Sequence, residues 1–172
     1  MSGLDMELAS GVAAFEAKEF ARAMQLLLPL AEQGEPQAQY RVAIMAQVGL
    51  GMVKNCASAV KWMRAAAGQG FALAQHGLGF MYFQGECTKA DPVEAAKWFR
   101  LAADQGLAGS QAMLATMYDK GVGVARDAAE AAKWRARAEK DAGASPATSG
   151  SRPRSRRYSS PGRARSPLHR PR

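Results

Sequence analysis

The sequence is poor in the residues from which catalytic and metal sites are usually built. It contains two cysteines and two histidines among 172 residues. His76 is the one histidine before the C-terminal tail, and no cysteine or carboxylate is spaced to join it in a metal site or a catalytic triad. We therefore predict a protein that is not an enzyme, with no catalytic residue, no bound metal and no cofactor.

Long apolar runs and targeting signals are missing as well. No uninterrupted apolar stretch approaches the about 18 residues that a membrane-spanning helix needs. The segment MSGLDMELAS at the start holds no lysine or arginine and no apolar core, so we expect no secretory signal. The two cysteines, Cys56 and Cys87, form no CxxC motif and are too few for a disulfide scaffold, which favours a reducing, cytoplasmic location.

Acidic residues are absent from the C-terminal segment, where the positive charge is concentrated. Residues 144–172 contain eight arginines and no acid, and they account for the whole net charge of +8. Their richness in Arg, Ser, Pro and Gly is typical of a disordered tail. The arginines are Arg152, Arg154, Arg156, Arg157, Arg163, Arg165, Arg170 and Arg172.

What the sequence does contain is an internal repeat. Trp62, Trp98 and Trp134 are its three tryptophans, and they recur at a constant spacing of 36 residues. Other columns align at the same period, namely Ala59, Ala95 and Ala131; Gly34, Gly70 and Gly106; Gln39, Gln75 and Gln111; and Asn55, Asp91 and Asp127. Repeats of 20 to 50 residues indicate a solenoid, because one unit cannot bury its apolar face alone.

Each unit is typical of two helices separated by a glycine-rich loop. Alanine-rich segments favour closely packed helices, and Asn55, Asp91 and Asp127 stand where a helix N-cap is expected. We predict eight helices, at 4–17, 19–33, 36–48, 56–69, 72–84, 91–105, 108–119 and 127–141. Trp62, Trp98 and Trp134, with Tyr82 and Tyr118, are interpreted as structural core residues.

Residues 74–106, AQHGLGFMYFQGECTKADPVEAAKWFRLAADQG, resemble a Sel-1-like repeat, a branch of the tetratricopeptide-like repeats. Residues 110–143 fit nearly as well, and residues 38–70 fit with Ala46 in place of the tyrosine and Asn55 in place of the aspartate. The resemblance implies a cytoplasmic adaptor or scaffold that binds other proteins. Disulfides in some relatives staple single hairpins, whereas Cys56 and Cys87 belong to different hairpins. Stacked loops can bring these two close, but we expect two inert thiols.

The predicted fold is therefore all-α. It is a right-handed α-α superhelix of about four hairpins, followed by the disordered tail. The expected units are a degenerate N-terminal hairpin at 1–34, three repeats at 35–70, 71–106 and 107–143, and the tail at 144–172.

One helix of the third hairpin carries a second apolar stripe. The first stripe repeats in other units and is interpreted as core, whereas the second does not repeat. In related solenoids the first helix of each unit lines the concave surface. We therefore predict a partner-binding groove there, and the alternative is that the stripe is buried between hairpins. The groove residues are Tyr40, Ile44, Leu73, His76, Phe80 and Phe83.

Two functions follow from these regions. The first is a non-catalytic adaptor that binds an unidentified protein or peptide in the groove. The second is a nucleic-acid- or polyanion-associated protein, in which the arginines of the tail bind nucleic acid or an acidic protein while the solenoid recruits partners.

Overall fold

The computed structural model describes residues 2–144, and within this range helices joined by turns and loops are the regular secondary structure. The predicted disorder and polyanion binding of the tail concern residues outside this range. Eight helices follow one another, α1 (Gly3–Glu16), α2 (Phe20–Glu32), α3 (Pro36–Val48), α4 (Cys56–Gly68), α5 (Ala72–Gln84), α6 (Pro92–Asp104), α7 (Ala108–Lys120) and α8 (Ala128–Ala144). They pair in sequence order into hairpins 1 to 4, which confirms the all-α solenoid.

The helix starts follow the predicted capping pattern. The side chain of Asn55 accepts a hydrogen bond from the Ser58 amide at 3.0 Å, and Asp91 accepts one from the Glu94 amide at 3.0 Å. Asp127 caps α8 in the same way. These side chains satisfy amides that a helix leaves without an internal partner, so the second helix of hairpins 2 to 4 begins at the same place in the repeat.

Alanines of the repeated columns lie in the interior of the solenoid. Ala59, Ala95 and Ala131 are completely buried, and so are Ala66 and Ala102. Larger buried side chains, among them Met63, Leu78, Phe99 and Leu114, fill the space between the helices. The core therefore runs along the solenoid as overlapping clusters, with each hairpin contributing to its neighbour.

A ladder of glutamines joins each hairpin to the turn of the preceding one. In hairpin 3, the buried Gln75 donates through Nε2 to the Ala67 carbonyl, and its Oε1 accepts from Gln105 Nε2 at 2.8 Å. Gln105 Nε2 also donates to the Gly70 carbonyl at 2.9 Å. Gln39 and Gln69 repeat these contacts in hairpin 2. Helix-end carbonyls inside the solenoid thus obtain donors.

Aromatic side chains of the repeat columns pack beside arginines. Trp134 is buried, whereas Trp62, Trp98, Tyr82 and Tyr118 are half-buried against the core clusters. Each of these two tyrosines accepts a hydrogen bond from an arginine of the preceding hairpin, Tyr82 from Arg64 and Tyr118 from Arg100. The guanidinium groups also lie over the tyrosine rings, which covers the apolar surface with charged groups.

The expectation of two inert thiols is wrong. Cys56 and Cys87 form a disulfide, with their Cα atoms 4.8 Å apart. Cys56 is the first residue of α4, and Cys87 lies in the loop between α5 and α6. Because the loop of each hairpin packs on the start of the second helix of the preceding hairpin, residues 31 positions apart become neighbours. The bond crosses between hairpins, unlike the staple within a single hairpin implied by the resemblance.

Candidate functional site

The six predicted groove residues lie on the first helices of two adjacent hairpins. Tyr40 and Ile44 are on α3, and Leu73, His76, Phe80 and Phe83 are on α5. Leu73 is 41% exposed, and the other five are half-buried. They therefore present apolar surface to solvent and also contact the protein interior. Below, the term A-helix row means these six residues.

Phe99 of α6 supports the aromatic part of the A-helix row. Its side chain is completely buried. The rings of His76, Phe80 and Phe83 pack edge-on against it, with centroid distances of 5.5, 5.4 and 6.5 Å. Edge-to-face contacts at these distances stabilise ring pairs beyond the burial of area alone. One side of each ring is therefore held by the core.

His76 also joins hairpin 3 to hairpin 4. Its Nδ1 lies 2.7 Å from the hydroxyl of Ser110 on α7, within hydrogen-bonding distance. Burial lowers the pKa of His76 from its usual value, so the imidazole is neutral at pH 7. Gly109 lies beside the imidazole, where an added Cβ atom would be 3.4 Å from His76 Cε1, an ordinary van der Waals distance.

Tyr40 occupies the column of His76 in the preceding hairpin. Its ring packs against Phe71 at a centroid distance of 5.4 Å. Burial raises the pKa of Tyr40, and the nearby Arg41 opposes this effect. The phenol is therefore protonated at neutral pH and can donate or accept one hydrogen bond.

The packing role of Phe99 was not anticipated from the sequence. Phe99 follows the conspicuous Trp98, and its column holds Met63 in hairpin 2 and Arg135 in hairpin 4. A column without a shared residue type gives no repeat signal. A different feature of the sequence could have identified Phe99. It occurs in the same repeat unit as the aromatic residues of α5.

The chemistry available near His76 is limited. Ser110 is 0% exposed, so its hydroxyl lies out of reach of a substrate in solution. Among residues 2–144 there is no group of three or more histidine, cysteine or acidic residues that could hold a metal ion. Within the same range, no helix combines the length and apolarity needed to cross a membrane.

Comparison with known proteins identifies the repeats. The Sel1 repeat family matches the chain at residues 36–71, 72–107 and 108–138. Curated proteins give no match to the chain. Sel1 repeat folds generally serve as protein–protein interaction modules and are generally non-catalytic scaffolds.

Two solved structures resemble this chain. A Sel1 repeat protein from Oxalobacter formigenes is 34% identical with a TM-score of 0.74, and the match covers 77% of this chain and 55% of that protein. The protective antigen c5321 of uropathogenic Escherichia coli strains, which displays an SLR fold, is 35% identical with a TM-score of 0.75. That match covers 80% of this chain and 30% of the antigen.

The chain thus spans about half the length of one solved relative and less than a third of the other. Three consecutive matches to one repeat, together with two similar structures built from it, agree with the hairpin geometry. The chain belongs to the Sel1 repeat family.

Proposed function

We propose that this protein is an adaptor that binds an apolar or aromatic segment of a partner protein along the A-helix row. The partner class follows from the general role of Sel1 repeat folds in protein–protein interaction. The observation that carries the choice of surface is the partial exposure of six apolar and aromatic side chains on α3 and α5, the first helices of two adjacent hairpins. Apolar area that is left open on neighbouring helices is where protein–protein contacts commonly form.

The packing behind the A-helix row favours binding. Because Phe80, Phe83 and His76 already rest against Phe99, their rotamers are restricted before a partner arrives. A preordered surface loses less side-chain entropy on association. Aromatic side chains in such positions are enriched among the residues that dominate interface energies.

A catalytic role for the His76–Ser110 pair is disfavoured by its surroundings. A serine nucleophile needs an exposed hydroxyl and a base that is oriented by a third group. Ser110 is fully buried, and the neighbours of the His76 ring include the apolar rings of Phe80 and Phe99. We therefore assign the pair to joining hairpins 3 and 4.

The groove is tested with peptides selected from a random library against the full chain. Leu73→Gln removes an exposed apolar side chain of the A-helix row, and we expect affinity for the selected peptides to fall about fivefold to tenfold. Leu101→Gln is the matched control, since Leu101 is 48% exposed but lies on α6. Binding is measured by fluorescence anisotropy at low salt and at about 0.5 M salt, where apolar binding should persist.

Two results would count against the groove. One is equal peptide affinity of Leu73→Gln and the unaltered chain. The other is a loss in Leu101→Gln as large as that in Leu73→Gln. Circular dichroism of both variants establishes that the helices are retained.

The separation of charge along the chain supports a second candidate function. The eight arginines of residues 144–172 carry the entire net charge, so binding of a polyanion such as RNA or DNA would use this segment. Such binding should weaken steeply with salt and should be unaffected by Leu73→Gln. Equal binding of RNA and DNA by the full chain and by a chain ending at residue 144, measured at low salt, would exclude it.

A further inference from the structure

The loop of each hairpin meets the start of the second helix of the preceding hairpin. We number the junctions along the chain, so that the first lies between hairpins 1 and 2. At the first junction, a Cβ atom at Gly51 would lie 2.7 Å from the carbonyl carbon of Phe20. At the third junction, a Cβ atom at Gly123 would lie 2.1 Å from the carbonyl oxygen of Pro92. Both glycines have positive φ, 66° and 71°. These two contacts require glycine because of both space and backbone conformation.

The middle junction carries cysteines at both of these positions. Cys87 occupies the column of Gly51 and Gly123, and it keeps their left-handed backbone with a φ of 58°. Cys56 occupies the column of Phe20 and Pro92. A cysteine in the left-handed region is strained, and a side chain here enters space that is closed at the other junctions. The disulfide turns this unfavourable contact into a bond between hairpins.

An exposed ion pair also links the two hairpins near this edge. Lys54 Nζ and Glu86 Oε1 are 3.9 Å apart, and both side chains are more than 40% exposed. Such a pair contributes little in water. Cys56 and Cys87 are only partly buried, so a reductant in solution can approach the bond. The oxidation state of the cysteines therefore decides whether this edge is covalently closed.

We propose that Cys56 and Cys87 form a redox latch that closes the junction between hairpins 2 and 3. The reductant is a dithiol. One of its thiolates attacks a sulfur of the Cys56–Cys87 bond, and the other cysteine leaves as a thiolate that takes up a proton. The second thiol of the reductant then displaces the first cysteine, so two cysteine thiols form while the dithiol becomes a disulfide.

The latch links the state of this junction to the compartment. Disulfides of this kind persist in oxidising compartments and are rare where thiols are kept reduced. In an oxidising compartment the disulfide closes the junction. In a reducing compartment, which the cysteine content favoured, the same chain has two thiols and an open edge. The proposal does not depend on what binds the A-helix row.

The test uses the full chain, purified without reductant and compared before and after dithiothreitol. We expect the oxidised chain to lack free thiols, and we expect reduction to lower the melting temperature by about 10 °C. Amide hydrogen exchange locates the change. The Glu86 and Asp91 amides, which donate to the Met81 and Tyr82 carbonyls, should exchange about tenfold faster after reduction.

Two controls are built into the repeat. The Val122 and Asp127 amides hold the same positions in the next loop, so their exchange should stay unchanged. The double variant Cys56→Pro with Cys87→Gly gives the middle junction the residues of the third, and its melting temperature should not respond to dithiothreitol. Two free thiols in an oxidising glutathione buffer would overturn the latch. So would a melting temperature that is equal in the two redox states, or a double variant that responds like the unaltered chain.

Discussion

The middle and last junctions of the solenoid use the same columns with different residues. Between hairpins 2 and 3, the loop edge has the Cys56–Cys87 bond. At the turn edge, Gln75 and Gln105 donate to the Ala67 and Gly70 carbonyls. Between hairpins 3 and 4, the loop edge has the close approach of Gly123 to Pro92 in place of a covalent bond. At the turn edge, Asp141 takes the place of a glutamine.

This substitution leaves one group without a partner. Gln111 Nε2 donates to the Ala103 carbonyl and to the Asp141 carboxylate. An ionised carboxylate has no hydrogen to donate, and Gln111 Oε1 is buried without a hydrogen-bond partner among the described residues. An unpaired buried acceptor is costly, and this one belongs to hairpin 4, so hairpin 4 should be less stable than hairpin 3.

Polar residues at the outer face of hairpin 4 also distinguish the two regions. Arg135 and Glu139 occupy the columns of Phe99 and Ala103, which are completely buried in hairpin 3. Both polar residues are exposed, and Arg135 forms an ion pair with Asp119. A polar outer face is what a terminal repeat of a solenoid requires in water.

The largest predicted effect comes from replacing, in turn, the two equivalent residues Phe99 and Arg135 by alanine. Phe99→Ala should lower the free energy of unfolding by about 3–5 kcal/mol, because it leaves a cavity beneath the rings of α5. Arg135→Ala should lower it by less than about 1 kcal/mol, since it removes only an exposed ion pair. Urea denaturation followed by circular dichroism measures both. Similar losses in the two variants would show that the column does not distinguish the hairpins.

A smaller effect should follow from restoring, in hairpin 4, the glutamine that Asp141 replaces. Asp141→Gln supplies donors to Gln111 Oε1 and to the Gly106 carbonyl, and should raise the free energy of unfolding by about 0.5–1.5 kcal/mol. The reverse change at the middle junction, Gln105→Asp, should lower it by about 1–3 kcal/mol. Urea midpoints measure both changes. If Asp141→Gln destabilises the protein, the Asp141 carboxylate makes a stabilising contribution that a glutamine cannot replace.

The smallest effect concerns pH and the His76 contact across the last junction. Burial lowers the pKa of His76 in the native state, so the unfolded chain, with a pKa of about 6.5, binds the proton more readily. The free energy of unfolding should therefore be highest above about pH 6.5, where His76 is neutral in both states, and should fall as the pH decreases below that value. Urea midpoints between about pH 7.5 and 5.5 follow this change in oxidised protein. His76→Gln should flatten the dependence, and an unchanged slope in that variant would assign it to other groups.

The sequence was informative wherever the same residue recurs. Constant columns of alanine and of capping Asn or Asp placed the helices within about three residues, because helix starts and close helix contacts depend on local chemistry. The glutamine column was visible as well. Its hydrogen bonds were not, since they join residues that are 8 and 30 positions apart and depend on how hairpins stack.

The groove and the disulfide were harder to predict for a related reason. A periodic pattern states which residues share a helix face, but only the angle between hairpins decides how far a face is covered. Phe80 and Phe83 are consequently half-buried on Phe99, between the two alternatives considered from the sequence. The cysteine pair has no counterpart in the other repeats, so no recurrence indicated that its members meet.

The position of the disulfide also has a mechanical consequence. If the chain were pulled from its two ends, the force would pass directly from Cys56 to Cys87 through the covalent bond. The residues between the two cysteines, which are 31 positions apart, would be shielded from tension because the bond carries the force in their place. At about 3.3–3.6 Å per residue, the oxidised chain would be roughly 100 Å shorter at full extension than the reduced chain. Most of α4, α5 and the turn between them would thus bear no load.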